Sequence, residues 1–378
     1  MAGIATTGLR PEDAAVRLDA AFDARGGRAP TLRDGFPPVG LFGDGCPEAF
    51  VLAAGGTPVE VKAPPAGDAA MAPPERVARV VEDFLDPFAA RFLARFAGGW
   101  YDGYAALVFV RDDAAGLTAY QYALELRRQG RVPAGGPDLL LWNLVRRDDA
   151  ATQRFNGRMA ADVAARLGAA TGRAFAEDGF AAASAAEAAR TEALSRAAAR
   201  GVAGAEMHRW RNAGRWLAPL DHAALLDAAA ARPASGPAIG LVGTALADDA
   251  LHRALDGVGR VTEDLQPYGA VWPACHAGGA ADLEGCLAAV ARHPLHLRAM
   301  PPAAYRAALV ERLAGCDVVL AQADDSDDAF GWEVPALAEA LRIRGVPLVD
   351  AGLHDGPPTA AWAARAAETV SARAGVPA

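Results

Sequence analysis

Apolar and polar positions along this chain fall into a rhythm that occurs twice. Val39-Gly40-Leu41-Phe42 is a short apolar run, followed by the turn residues Gly43-Asp44-Gly45, a helical pattern from Pro47 to Ala54 closed by Gly55-Gly56, and a second run at Pro58-Val59-Glu60-Val61. Strand, helix and strand in so short a span make a βαβ unit, which requires parallel pairing. A Pro- and Ala-rich stretch, 63–74, leads into a helix predicted over Glu75–Phe96. Ala105–Val110 is then a continuous apolar run between turn signals, the pattern of a central strand. A helix over Leu117–Gly130 and a strand at Asp138–Trp142 follow. From 151 to 232 no strand-like run occurs; the pattern is helical and alanine-rich, with breaks at Gly168, Gly172, Gly179, Gly201 and Gly204. Arg232-Pro233-Ala234-Ser235-Gly236-Pro237 has linker composition, and after it the first rhythm returns. Ala238–Val242 is a strand, Gly243-Thr244 a turn, Asp248–Leu255 a helix and Gly259–Glu263 the start of another strand. Asp317–Leu320 and Val346–Val349 are strands on either side of a helix over Val334–Arg342. The pattern predicts an α/β protein: an N-terminal arm (1–36) with a helix over Pro11–Ala24, a doubly wound parallel-sheet lobe (37–150), an alanine-rich helical region (151–232) and a second such lobe (233–378).

Composition narrows the function classes. With 378 residues, 52% of them hydrophobic, the chain can bury a large core. A net charge of −9 argues against nucleic acid as a partner. Lys62 is the only lysine; every other basic side chain that is always charged is arginine, a bias that reads as genome composition. The four cysteines, Cys46, Cys275, Cys286 and Cys316, include no C-x-x-C pair, so neither a disulfide framework nor a zinc site is indicated. No basic segment followed by an apolar run opens the chain, and no apolar string is long enough to span a bilayer, so a cytoplasmic protein without a membrane partner is expected.

Several groups could carry chemistry. Gly40-x-x-Gly43-x-Gly45 can cradle a phosphate, although it lacks both the Gly-Lys-Ser/Thr ending of a P-loop and the glycine spacing of the dinucleotide fingerprint; tight-turn glycines explain it equally. The run Asp324-Asp325-Ser326-Asp327-Asp328 lacks the ligand spacing, central glycine and terminal glutamate of an EF-hand loop. His208-Arg209-Trp210-Arg211-Asn212 is a dense polar cluster. It is expected either as a helix surface anchored by its tryptophan or, through Arg209, Arg211 or Arg215, as a contact for an anion such as a CoA phosphate. His276, His293 and His296 form no metal-spaced or nucleophile-associated pattern, so no metal site is expected.

Three segments carry a resemblance. Asp86-Pro87-Phe88-Ala89-Ala90-Arg91, Arg111-Asp112-Asp113, and Ser326-Asp327-Asp328 followed by Trp332-Glu333-Val334-Pro335 are similar to segments of the 2-hydroxyacyl-CoA dehydratase and benzoyl-CoA reductase subunits. So are Val39-Gly40 through Cys46-Pro47-Glu48 to Ala53-Ala54-Gly55 and Pro58-Val59, the pair Asn212 and Arg215, and Gly243, Glu263-Asp264, Glu333-x-Pro335 and Gly345-Val346-Pro347 in the same order. The resemblance implies two flavodoxin-like lobes, association with a similar subunit, an acyl-CoA substrate and a [4Fe–4S] cluster fed by an ATP-driven activator. In that family each of the three segments carries a cluster-binding cysteine; here Asp86, Asp112 and Asp327 stand in those places.

Thiolates suit iron–sulfur clusters, whereas carboxylates suit hard cations, so no cluster is expected in this chain. The acids follow strand ends or open helices, where open α/β sheets place ligands. Three readings of them stay open: turn chemistry and N-capping, a repurposed polar pocket, and a three-carboxylate site for Mg²⁺ or Mn²⁺. Cys46, Glu48, Arg209, Arg211, Asn212, Arg215 and Glu333 are the candidate substrate contacts. The expected role is a cluster-less subunit of a heteromeric acyl-CoA dehydratase or reductase complex, whose homologous partner carries the [4Fe–4S] cluster. The alternatives are an autonomous enzyme using carboxylate or metal chemistry on a thioester, and a scaffold without chemistry.

Overall fold

The structure, a computed structural model, describes residues 9–25, 35–62, 74–82, 85–232, 234–274, 278–296, 301–327 and 329–374. Among them, β1 (Pro38–Phe42), β2 (Thr57–Glu60), β3 (Ala106–Val110) and β4 (Asp138–Trp142) form one sheet in the order β2-β1-β3-β4. β5 (Ala238–Gly243), β6 (Arg260–Asp264), β7 (Val318–Asp324) and β8 (Leu348–His354) form a second in the order β6-β5-β7-β8. Every pairing is parallel. The architecture is thus α/β, with two four-stranded parallel sheets flanked by helices, as two flavodoxin-like lobes require. Parallel strands covered on both faces read as unbroken apolar runs; accordingly all five residues of β3 and all six of β5 are buried.

The strand orders fix where a ligand can approach. In the first sheet the chain steps from β1 outward to β2, then returns to the other side of β1 to lay down β3. The second sheet repeats this around β5, with β6 on one side and β7 on the other. At such a reversal the two connections leave in opposite directions and open a crevice outside the carboxyl ends of the strands. Those ends are Phe42 and Val110 in one sheet and Gly243 and Asp324 in the other.

The chain divides into two compact units. The first contains the stretches between Ala24 and Ala189 and between Cys275 and His293; the second contains Ile4–Asp23, Arg190–Ala274 and Pro294–Ala378. The alanine-rich stretch 151–232 is therefore shared between the two, and most of the helix Pro11–Ala24 belongs to the second. The first unit's core gathers Leu41, Phe50, Val108, Leu140 and Trp142 with Phe180, and the rings of Phe50 and Trp142 meet edge to face at 4.8 Å. Burying a side chain of this size contributes ~2–3 kcal/mol. In the second unit Ile239, Leu241, Val318 and Leu320 pack with Leu251 and Leu255 of the helix Ala250–Asp256 and with Ala363, Ala366 and Val370 of the helix Ala360–Ala374.

Two elements depart from expectation. The helix predicted over Glu75–Phe96 is broken into Glu75–Ala78 and Pro87–Ala97. Pro87 has no N–H and drives the residue before it into extended backbone, and Asp86 accordingly has φ −44° and ψ 131°. β7 and β8 run on past Leu320 and Val349 to Asp324 and His354: Gln322 pairs with Gly243 of β5, and the β7/β8 ladder resumes after an irregularity at Ala323↔Leu353 and Asp324↔His354. No helix among the described residues is long and apolar enough to cross a membrane.

Candidate functional site

At the reversal of the first sheet the turn after β1 meets the loop after β3. Gly43 turns at φ +112° against Val110, and the amides of Asp44 and Gly45 then point at the carboxylate of Asp112. Asp112 Oδ2 accepts from Asp44 N at 3.0 Å and from Gly45 N at 2.6 Å, while Arg146 Nη2 lies 3.3 Å from Oδ1. The Arg146 side chain is 3% exposed and is anchored through Nη1 to the Val290 carbonyl at 2.8 Å. A Cβ on Gly45 would come within 2.5 Å of Asp112 Oδ1, so glycine is what lets the carboxylate seat. The glycine-spaced turn does cradle an anion, and that anion is the protein's own Asp112.

Beside it stands a second ion pair. Lys62, just after β2, bonds through Nζ to Asp113, and Asp86 adds a further attraction. Burial alone would lower the Lys62 pKa, but Asp113 and then Asp86 raise it, so the ammonium is held charged. Its Nζ also lies 5.2 Å from the centre of the Phe88 ring. Asp86 caps the helix Pro87–Ala97, accepting from Phe88 N at 2.8 Å and Ala89 N at 3.1 Å; burial pushes its carboxyl up, and Lys62 offsets part of that rise. Asp113 caps the helix Ala114–Arg128 through Gly116 N at 3.0 Å. The chain's only lysine, which composition alone reads as a genome bias, thus sits buried against two acids.

Asp327, in the second unit, accepts from Ala329 N (3.2 Å), Phe330 N (3.1 Å) and Gly331 N (2.7 Å) and so closes the short 3-10 turn Phe330–Trp332. Glu333 accepts from Arg306 Nη1 at 3.0 Å. The reversal of the second sheet is filled by polar groups. Gln322 Nε2 donates to the Thr244 carbonyl at 2.8 Å, its Oε1 lies 2.6 Å from His354 Nε2, and His354 Nδ1 lies 2.6 Å from the Gly356 carbonyl.

The polar cluster on the helix Gly204–Ala213 is not the helix surface that its composition suggested. His208 and Asn212 are fully buried, Trp210 nearly so, and Arg211 and Arg215 are each under 9% exposed. Arg209 reaches three acids at 2.8–3.1 Å: Asp19 and Asp23 on the helix Pro11–Ala24, and Asp249. Asn212 donates to the His208 and Tyr268 carbonyls and accepts from Arg215 Nε at 2.9 Å, and the Arg215 guanidinium stacks on Tyr268 and Trp272. These residues organise the second unit's interior. Asp264, at the end of β6, is the centre of charge there. Its Oδ2 lies 3.0 Å from His252 Nε2, 3.4 Å from Gln266 Nε2, 3.5 Å from Arg211 Nη1 and 3.8 Å from His208 Nδ1. Burial would raise its pKa, yet His252, His208 and Arg211 hold it well below the usual carboxylate range.

Among the described residues, His208, His252 and Asp264 are the one group of three potential ligands close enough to share a metal. Their geometry fits a buried charge network better. The two imidazoles stack at 4.1 Å with planes 29° apart. Ring lone pairs point within the ring plane, so stacked rings inclined by only 29° aim them poorly at one ion. The Arg211 guanidinium already supplies positive charge at the same oxygen. Nothing in residue spacing could have signalled the group, whose members come from two helices and a strand.

The thiols are no better placed for metal. Cys46 and Cys286 sit in the first core and Cys316 beside the second sheet, all buried. Burial pushes Cys46 well above the usual thiol value, Cys286 up to about 12 and Cys316 up to about 11, whereas thiolate is the form that binds iron. Glu48 is also buried. Cys275, His276 and Asp328 lie outside the described residues. Both sheet reversals are thus closed by internal hydrogen bonds and ion pairs. No protein-family model matches the chain, and no curated protein matches it.

Proposed function

We propose that this chain is a cluster-less relative of the 2-hydroxyacyl-CoA dehydratase and benzoyl-CoA reductase subunits, acting as one subunit of a heteromeric acyl-CoA complex. Its homologous partner holds the [4Fe–4S] cluster and performs the radical step, and this chain completes the interface and part of the acyl-CoA pocket. The observation that supports this reading is the closure of the first sheet's carboxyl edge: Asp112 is bound by two amides and Arg146, and Asp86 and Asp113 hold Lys62 between them. Of the three acids of the cation reading, Asp112 is paired with Arg146, Asp86 caps a helix beside Lys62, and Asp327 accepts from three backbone amides, which disfavours a shared cation site. These carboxylates offer an iron–sulfur cluster no soft ligand. The paired 2-1-3-4 sheets suit the two lobes that the resemblance implies.

The test is anaerobic purification of the chain from its native host, followed by sizing and metal analysis. Co-elution with a brown, iron-containing homologous subunit is expected. Recovery as a monomer or homodimer with stoichiometric Mg or Mn would instead favour the autonomous enzyme.

A further inference from the structure

We infer that the turn after β1, together with Arg146, is an oxyanion-binding site that the protein keeps shut with the Asp112 carboxylate. The inference rests on no partner subunit and no cluster; it stands on how the first unit holds this one side chain. Two successive backbone amides, Asp44 N and Gly45 N, converge on a single oxygen at 3.0 and 2.6 Å. A guanidinium that is 3% exposed faces the other oxygen and is aimed by its own bond to the Val290 carbonyl. Consecutive amides turned to one side form a concave positive surface suited to a phosphate or carboxylate. With Nη1 held by Val290, Nη2 presents a fixed charged donor to such a group. Glycine at 45 leaves room for those oxygens, since a Cβ there would lie 2.5 Å from one of them. The whole arrangement stands at the β1/β3 reversal, where open α/β sheets receive ligands.

Asp112 is therefore a tethered ligand rather than a helix cap. Its carboxylate comes from the loop after β3 and meets amides from the turn after β1, and 15% of its side chain is exposed. A tethered group acts at an effective concentration of millimolar or more, so a free anion competes poorly while the tether is intact. An incoming phosphate or carboxylate takes the site only by displacing Asp112, whose departure leaves the same amides and the same guanidinium to receive it. The site's chemistry is that of an oxyanion receptor, and its control element is one side chain.

Removing the tether tests this directly. Inorganic phosphate and acetate are titrated into the full-length wild type, Asp112→Ala and Asp112→Asn, with sodium chloride at matched ionic strength as the control. Binding is read by calorimetry and by the unfolding temperature. The expected result is one phosphate per Asp112→Ala chain with affinity at least ~10²-fold above wild type, the gain set by the lost effective concentration. The unfolding temperature should rise with phosphate and not with chloride. Adding Arg146→Gln to Asp112→Ala should abolish that response. If Asp112→Ala does not fold, the isosteric Asp112→Asn carries the titration, and if both misfold, refolding yield in phosphate against chloride is the readout. A folded variant that shows no preference for phosphate or acetate over chloride, or a refolding yield that is the same in both salts, overturns the inference.

Discussion

Replacing Lys62 by methionine keeps the volume and removes the charge from the first sheet's edge. Lys62 is 7% exposed along its side chain, whereas Asp113 is 44% exposed. Deleting one member of a buried pair costs ~3–5 kcal/mol. The Asp113 share of that cost falls toward the ~0–1 kcal/mol of exposed pairs, because water can solvate its released charge. Most of the loss then comes from Asp86, which burial already disfavours as an anion and from which Lys62 draws the pKa down. We expect a loss of ~2–3 kcal/mol near neutral pH. Its pH dependence follows from the sign of the Asp86 shift. A carboxyl with a folded value above its unfolded value contributes stability that is present below the unfolded value and lost as pH rises through the folded one. Without Lys62 the folded value climbs further, so the gap between variant and wild type should be small at about pH 4 and fully open at neutral pH. Urea unfolding monitored by tryptophan fluorescence at the two pH values measures it, with Trp142, wholly buried, reporting on this unit. A gap under ~1 kcal/mol at neutral pH, or one that is the same at both pH values, would refute the reasoning.

Three further outcomes are expected. Asp264→Asn should cost ~3–5 kcal/mol at neutral pH by leaving His252 and Arg211 without their anion. Because Asp264 is held low, that contribution is lost as pH falls below about 4, so the gap to wild type must narrow there; a pH-independent gap would contradict the assignment. Arg209→Met should release the helix Pro11–Ala24 and speed its amide exchange about tenfold, for a loss of ~1–2 kcal/mol spread over three partly exposed acids; unchanged protection would show that packing alone holds that helix. In a Cys275→Ser background the native protein should leave a thiol reagent almost unconsumed and react with it fully once unfolded, since burial raises the three remaining thiols. Rapid reaction of any of them in the native state would argue otherwise.

Much of the scaffold was legible because its determinants are local. Continuous apolar runs such as Ala106–Val110 and Ala238–Gly243 are what doubly covered parallel strands demand, and the turn glycines between run and helix mark each reversal. Asp86 before Pro87 was readable as a helix cap for the same reason, and the break it imposes on the longer predicted helix follows from the proline. What escaped the sequence is what the tertiary fold assembles. Arg146 reaches Asp112 from 34 residues away and Lys62 reaches Asp113 from 51. His208, His252 and Asp264 likewise meet only once two helices and β6 are packed. The burial of Arg211 and Asn212 was hidden because a helix rich in polar residues has no apolar stripe to orient it; their partners are carbonyls and one carboxylate in the interior.

The account turns on whether this chain's own side chains can hold an iron–sulfur cluster. Anaerobic reconstitution of the isolated chain with ferrous iron and sulfide, followed by desalting, iron analysis and visible spectroscopy, asks that question directly. We expect colourless protein with iron at background, and no change when Lys62→Met opens the acidic edge, because carboxylates remain poor ligands for such a cluster. A stable brown protein carrying about four iron atoms per chain, the content of a [4Fe–4S] centre, would contradict it.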